Sequence, residues 1–209
     1  MIFVELFVPK GTLAPEQRRA IGPRIVAELM SDQGAPEVVI ESGRNLTQVI
    51  VHEPDTWTVG SQTVEPSDPP RYLVRVSVPQ TWRKGMGPYA ISRITKVLAG
   101  LDQDPRRVYD EPIAWVQVIG IPEGGLGIFG QVMGTNDITR LITKPYREAP
   151  EGSIPVVEPE PGTAIDPTCG MTVPLTEKAI TLEYAGTTYA FCCAECRTIF
   201  AEDHTPMLR

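Results

Sequence analysis

Two segments of this chain repeat one pattern. FVELFVP (residues 3–9) and LVRVSVP (residues 73–79) each alternate apolar and polar positions and stop at proline, 70 positions apart. Alternation of this kind reads as a half-buried strand, and the proline removes a ladder donor where the strand should end. A helical pattern follows each strand. In APEQRRAIGPRIVAELM, Ile21, Ile25, Val26 and Leu29 fall on one face, with Pro23 expected to bend or break the early turns. In GPYAISRITKVLAGL, Ile91, Ile94, Val97, Leu98 and Leu101 recur at helical spacing, with Pro88 suited to a first turn. Second strands come next, LTQVIVHEP and AWVQVIGIP. Each runs into a glycine-bearing stretch, DTWTVGSQTV and EGGLGIFGQV, whose Gly60 and Gly130 are again 70 apart. A helix crossover makes the strands it joins parallel and right-handed. The expectation is an α/β (α+β) chain. Two tandem β-α-β units, each with a short terminal strand, form one sheet with two helices on one face. They occupy residues 1–143, with repeats at about 1–66 and 70–143.

The stretch KPYREAPEGSIPVVEPEPGT (residues 144–163) carries Pro145, Pro150, Pro155, Pro159 and Pro161 among glutamates. It reads as an extended, semi-rigid linker with no regular helix. Beyond it lies a small domain, residues 164–209. There TLEY and TYAF flank AGT, a hairpin signal, and AECRTIFAED reads as a short helix.

All four cysteines of the chain, Cys169, Cys192, Cys193 and Cys196, lie in that tail. The start of the chain lacks the pattern of a secretory signal, and no apolar run approaches the ~18 residues that span a bilayer. The expected location is cytoplasmic, with no membrane association, where thiols stay reduced and a disulfide framework is disfavoured. The net charge of −7 argues against a nucleic-acid partner. Cys193 and Cys196 have C-x-x-C spacing, but the surrounding hairpin is not the β-α-β setting of a redox pair. A domain this small buries little core, and a metal clip is the usual remedy. Cys192 sits at the strand–helix junction with Cys196 one turn on, on the same side. Cys169 precedes the hairpin in a loop tightened by Gly170. Three thiolates from Cys169, Cys192 and Cys196 suit a soft ion, Zn(II) or Cu(I). His204 is a candidate fourth ligand. So is Cys193, although adjacent residues rarely converge on one ion. Such a site either staples the fold or holds an ion for sensing or transfer.

The spacing C-x22-C-x3-C, with DPTCGM, YAFC and a following F-x-x-D, resembles the YHS domain, a small heavy-metal-associated module. The likeness runs from residue 165 to about 208. Cys193 stands where that family commonly has serine. The tandem repeat is similar to the tautomerase superfamily, typified by 4-oxalocrotonate tautomerase, in the strand ending VPKG, the amphipathic helix and the second strand leading into EPDTWTVGSQ. That resemblance implies a homotrimer of doubled units with edge strands crossing to neighbours, a role that suits GLGIFGQVM. It also implies an N-terminal proline as the reacting amine. This chain has Ile2 there, a bulky residue that disfavours removal of Met1. The matching position of the second repeat is Tyr72, Pro70 is locked in an amide, and Thr12 stands where small tautomerases carry a basic residue. The reading is a tautomerase-like fold without the proline-dependent chemistry.

Other groups were weighed for catalysis. His52 beside Glu53 offers an acid–base pair, or a solvated strand end. Asp55 and Trp57 fall in the turn that follows. Arg71 and Arg75 suit either an anion pocket for a small-molecule ligand or a polar strand face. The function expected is metal binding or sensing by a trimerising, tautomerase-like protein. The alternatives are a tautomerase or isomerase acting on a small keto or enol acid, with the tail as a metal-dependent appendage, and an interaction scaffold.

Overall fold

The computed structural model describes residues 2–31, 34–150, 152–155 and 158–205. Met1, whose amine the sequence singles out, lies outside them. In chain order the elements are β1 (Ile2–Phe7), α1 (Pro15–Leu29), α2 (Glu37–Asn45), β2 (Thr47–His52), β3 (Thr58–Val59), β4 (Gln62–Thr63), β5 (Tyr72–Pro79), α3 (Arg83–Ala99), α4 (Arg107–Asp110), β6 (Ala114–Ile121), β7 (Gly127–Ile128), β8 (Gln131–Val132), α5 (Thr135–Arg147), β9 (Thr163–Ile165), β10 (Thr172–Pro174), β11 (Ile180–Tyr184), β12 (Thr187–Phe191) and α6 (Ala194–His204). They fall into two compact units. One comprises residues 1–31 and 46–122, the other residues 32–45 and 123–209.

The first unit is a four-stranded sheet in the order β2-β1-β5-β6. β1 and β2 are parallel, β5 and β6 are parallel, and β1 meets β5 antiparallel. This is the doubled β-α-β arrangement expected from the repeat. Alternation decides which side is buried. Val4, Leu6, Val74 and Val76 are fully buried together with Ile21, Ile25, Ile94 and Leu98 of α1 and α3. The helix face differs slightly from the expected one, because Ile91 is 43% exposed and Ala90 takes its place in the core. α1 runs unbroken through Pro23, and α3 begins before Pro88, which lies inside it and not in its first turn.

The repeat is real, but its offset is not constant. Ile2 and Tyr72, the first residues of β1 and β5, are 70 apart. The buried helix pairs Ile25 with Ile94 and Leu29 with Leu98 are 69 apart. Thr47, paired with Ile2, and Ala114, paired with Tyr72, are 67 apart. Each glycine stretch forms a two-stranded hairpin and not a single terminal strand. Gly60 (φ +62°) is the first turn residue of β3–β4, whereas Gly130 (φ +72°) is the second of β7–β8, after Phe129 at φ +59°. The two glycines share an offset of 70 without sharing a role.

In the second unit, α5 extends to Arg147. The first residues of the expected linker, Lys144 to Arg147, are therefore helical. Pro145 has no N–H for the carbonyl of Leu141, four residues back. The Ser42 hydroxyl donates to that carbonyl instead, at 3.3 Å. The tail folds as expected for a hairpin and helix. β11 and β12 pair antiparallel from Ile180↔Phe191 to Tyr184↔Thr187. Ala185 (φ +50°) and Gly186 (φ +78°) make the turn between them, the paired left-handed geometry of a tight hairpin. A second antiparallel pair, β9 and β10, brackets residues 166–171. Among the described residues, no helix is long and apolar enough to cross a membrane.

Candidate metal centre

The β9–β10 loop is closed by its own backbone. The Asp166 N–H donates to the Met171 carbonyl at 2.8 Å, and the Gly170 N–H donates to the Asp166 carbonyl at 2.7 Å. The second bond needs a sharp reversal, which Gly170 supplies at φ +73°. Cys169 is thereby held on the inner side of the loop, 4% exposed. From the other direction, β12 ends at Phe191 and α6 begins at Ala194. Cys192 occupies the junction, and Cys196 lies in the first turn of the helix.

These two arms meet. The Cys169 and Cys192 sulfurs are 3.6 Å apart, and those of Cys192 and Cys196 are 3.7 Å apart. A carboxylate of Asp166 joins them, so that donor atoms of Asp166, Cys169, Cys192 and Cys196 all lie within 4.8 Å of one another. Asp166 is fully buried. Its Oδ1 accepts from the Thr168 N–H and its Oδ2 from the Cys192 N–H, both at 2.8 Å. The Thr168 hydroxyl donates to the Cys196 carbonyl at 2.9 Å, tying the loop to the helix. Phe191 and Phe200 close the apolar side of the cluster.

The sulfurs share charge unequally. Hydrogen bonds from the Cys192 and Cys196 thiols pull Cys169 down to about 6, against the opposing effects of burial and the Asp166 charge. Cys192 is raised, first because its proton is held by Cys169. Cys196 is raised for the same reason, with Cys192, Cys193 and burial adding to it. The arrangement is one thiolate shared by two thiols, close to the positive N-terminal end of α6.

The two candidate fourth ligands are placed differently: Cys193 adjoins the cluster, its sulfur hydrogen-bonded with the Cys192 and Cys196 thiols, whereas His204 lies at the other end of α6. The Cys193 sulfur caps α6 by accepting from the Cys196 N–H at 3.4 Å. His204 is exposed at the far end of α6, with Nδ1 2.8 Å from the Phe200 carbonyl. Its ring stacks on Phe200 at 4.0 Å and meets Tyr184 edge-on at 5.3 Å. Asp166 is the group that the sequence reading did not weigh.

Of the catalytic candidates in the first unit, His52 and Arg75 share the Phe7 ring beside Glu5, and Glu53, Asp55 and Arg71 are placed apart from them. His52 faces Glu5 at 3.4 Å across the β1–β2 pair and stacks on Phe7. Glu53, its neighbour in sequence, pairs with Arg18 instead. Arg75 lies over the Phe7 ring at 5.2 Å, in register with Glu5. Asp55 pairs with Lys10 on the surface at 2.6 Å. Arg71 lines an open cavity of ≈ 480 Å³ with Arg107, Glu111 and Asp68. The hydroxyl of Tyr72, the second-repeat counterpart of Ile2, is buried without a hydrogen-bond partner among the described residues, and that burial is the main cause that raises its pKa.

Comparison with solved structures returns chains similar to this one at low identity. A protein crystallised after inactivation by 2-oxo-3-pentynoate is 17% identical with TM-score 0.48, covering 62% of this chain and 94% of its own. Native fused 4-OT is 18% identical with TM-score 0.46, over 62% and 94%. A macrophage migration inhibitory factor-like protein from Entamoeba histolytica is 10% identical with TM-score 0.46, over 63% and 98%. No match was found among curated proteins. The segment that builds the sulfur cluster, residues 164–205, matches the model of the YHS domain.

Proposed function

We propose that this chain binds one thiophilic metal ion, Zn(II) or Cu(I), through the sulfurs of Cys169, Cys192 and Cys196, and that it does so as a homotrimer. The observation that carries the metal reading is the spacing of the sulfurs. Tetrahedral thiolates at a Zn–S distance of ~2.3 Å lie about 3.8 Å apart, and the adjacent pairs here are 3.6 and 3.7 Å apart. The donor set fits. Three soft donors converge, no two are joined as a disulfide, and a buried carboxylate faces the remaining side. Once bound, the ion would supply a cross-link between the β9–β10 loop and α6. Asp166 and Thr168 hold those arms in place, and Phe191 and Phe200 exclude water from one side.

The full chain, purified in reductant and titrated with zinc, is expected to take up one equivalent. Absence of any bound or titratable zinc or copper would sink the reading. The pH dependence has a definite sign. Cys169, lowered to about 6, is already a thiolate at neutral pH, whereas the raised Cys192 and Cys196 still carry their protons. Binding must displace those two protons, so affinity should rise with pH by ~100-fold per unit above pH 6, and more steeply below it. A pH-independent affinity between 6.5 and 8 would contradict this arrangement.

The trimer rests on the sheet face turned away from α1 and α3. Ile50, Trp115 and Ile119 stand exposed there, at 42%, 62% and 42%. Phe3, Phe7 and Leu73 lie on the same face, half-buried. Glu5 and Arg75 sit opposite each other in its middle. An apolar face with charges of both signs at its centre suits burial against other copies of the chain, and two further copies are its proposed cover. Light scattering should give three times the chain mass of 22.9 kDa. Trp115→Glu should shift that mass downward. A monomeric wild-type chain would exclude the assembly.

A further inference from the structure

We infer that Asp166 makes this centre discriminate by charge, favouring a divalent over a monovalent ion. The inference rests on the metal reading above. Three thiolates alone are a good site for a soft monovalent ion such as Cu(I) or Ag(I). This cluster has a fourth anion. The Asp166 carboxylate has a donor oxygen within 4.8 Å of all three sulfurs and is fully buried, so solvent does not screen it. Its two hydrogen bonds, from the N–H groups of Thr168 and Cys192, are to neutral donors. Among the described residues, the ion pairs of this unit lie elsewhere: Arg44 with Glu37 and Glu41, Arg140 with Glu202 and Asp203, Arg147 with Asp203, and Lys144 with Glu148. The charge of Asp166 is therefore balanced by whatever ion the sulfurs hold.

With three thiolates and a carboxylate, a monovalent ion leaves the buried cluster at net −3, and a divalent ion leaves it at −2. Burying the larger residual charge is the costlier outcome. A unit charge about 5 Å away alters the binding of a monovalent ion by ~10²-fold at an effective dielectric of about 20, and a divalent ion feels it twice. Donor chemistry acts in the same direction. Carboxylate oxygen is an accepted ligand for Zn(II) and a poor one for Cu(I). The backbone bonds to Thr168 and Cys192 fix the carboxylate in place, so no rearrangement is needed for it to act.

Charge is isolated from softness by comparing Cd(II) with Ag(I), two thiophilic ions that differ in valence. Affinities are measured by chelator or ligand competition on the full chain and on two neutral variants, Asp166→Asn and Asp166→Ser. Serine retains a hydroxyl able to accept an N–H bond in the same turn. The expected result is that either variant loses at least ~10-fold more affinity for Cd(II) than for Ag(I). Asp166→Glu, which keeps the charge, should stay within ~3-fold of the wild-type ratio. Equal losses for the two ions in the neutral variants would overturn the inference. If neither neutral variant folds, Asp166→Glu decides alone, and a shift of ~10-fold or more in its ratio would overturn it. A wild-type chain that binds neither ion would instead refute the metal reading itself.

Discussion

Exchanging Cys192 for serine is expected to weaken zinc binding by ~10²–10³-fold and to remove metal-dependent protection of the C-terminal unit. Structural zinc sites provide about 10–16 kcal/mol shared over four donors, or ~2.5–4 kcal/mol each, which sets the fold-change. Cys192 is the sulfur whose loss should be felt most. It contacts both others, at 3.6 and 3.7 Å, and its N–H holds Asp166. An ion that binds only the folded state stabilises it by mass action. The wild-type chain should therefore show a thermal transition that moves up with added zinc and down with a chelator. In Cys192→Ser that transition should become insensitive to both, while the first unit, with its own core around Val4, Leu6, Ile94 and Leu98, melts unchanged. Cys193→Ser is the matched comparison. Its sulfur accepts one long bond from the Cys196 N–H at the helix N-cap, and a serine hydroxyl fills that role at least as well. Its zinc affinity is expected within a few-fold of wild type. Equal losses in both variants would place Cys193 among the ligands and refute the assignment.

The parts of this molecule that were legible in the sequence are those where one periodicity runs without interruption. β1 and β5 alternate in burial because α1 and α3 pack on one side of the sheet, so the doubled sheet could be read from them. The tail was legible for another reason. AGT marks a hairpin, although Thr187 already pairs with Tyr184 and only Ala185 and Gly186 form the turn, and a C-x3-C pair must share a helix face once a helix starts between them. α5 was hidden by Pro145. Ile138, Leu141 and Ile142 carry helical spacing, and the Asp137 carboxylate accepts the Gly134 N–H at the helix start. A proline nonetheless argues for a stop unless something serves the orphaned carbonyl. Ser42, which does so, lies 99 residues away, so no local window contains the reason. The constant offset of 70 was over-read at its third landmark, because insertions and deletions between elements can restore a register that the elements do not share.

The candidate site divides in the same way. His52 and Glu53 are adjacent in sequence, but neighbouring strand residues point to opposite faces. The partner of His52 had to come from β1, and it is Glu5. His204 was one of two candidates for the fourth ligand, as a histidine that could reach back from the end of the helix. Its place in the last turn of α6 sends it to the Phe200 carbonyl and two aromatic rings. Asp166 escaped notice because, within its own segment, it is an ordinary turn aspartate bonded to the N–H two residues on. Its second oxygen is committed to Cys192, 26 residues later. That bond, which no spacing rule encodes, turns a loop residue into part of the cluster.

Gly170→Ala is expected to destabilise the C-terminal unit by ~3–5 kcal/mol, through two separable effects. The backbone at Gly170 sits at φ +73°, where a side chain costs roughly 1–2 kcal/mol. An added Cβ would also fall 2.5 Å from Pro36 Cγ and 2.5 Å from Tyr146 Cε2, with Cζ at 2.8 Å. These distances are far inside van der Waals contact, and both neighbours are rings with little freedom to yield. Relief would require the loop to move. The Gly170 N–H is held by the Asp166 carbonyl, so such a movement takes Cys169 away from Cys192 and opens the cluster. Gly186→Ala separates the two contributions. Gly186 has φ +78° but nothing within 4 Å of the added atom, so the backbone penalty stands alone at about 1 kcal/mol. At ~4–8 °C per kcal/mol for a domain of this size, Gly170→Ala should lower the melting temperature of the zinc-loaded unit by more than ~10 °C and weaken zinc binding with it. Gly186→Ala should lower it by only a few degrees and leave zinc affinity intact. If the two variants melt together, the packing of Tyr146 and Pro36 over Gly170 is not what holds Cys169 in reach of the other sulfurs.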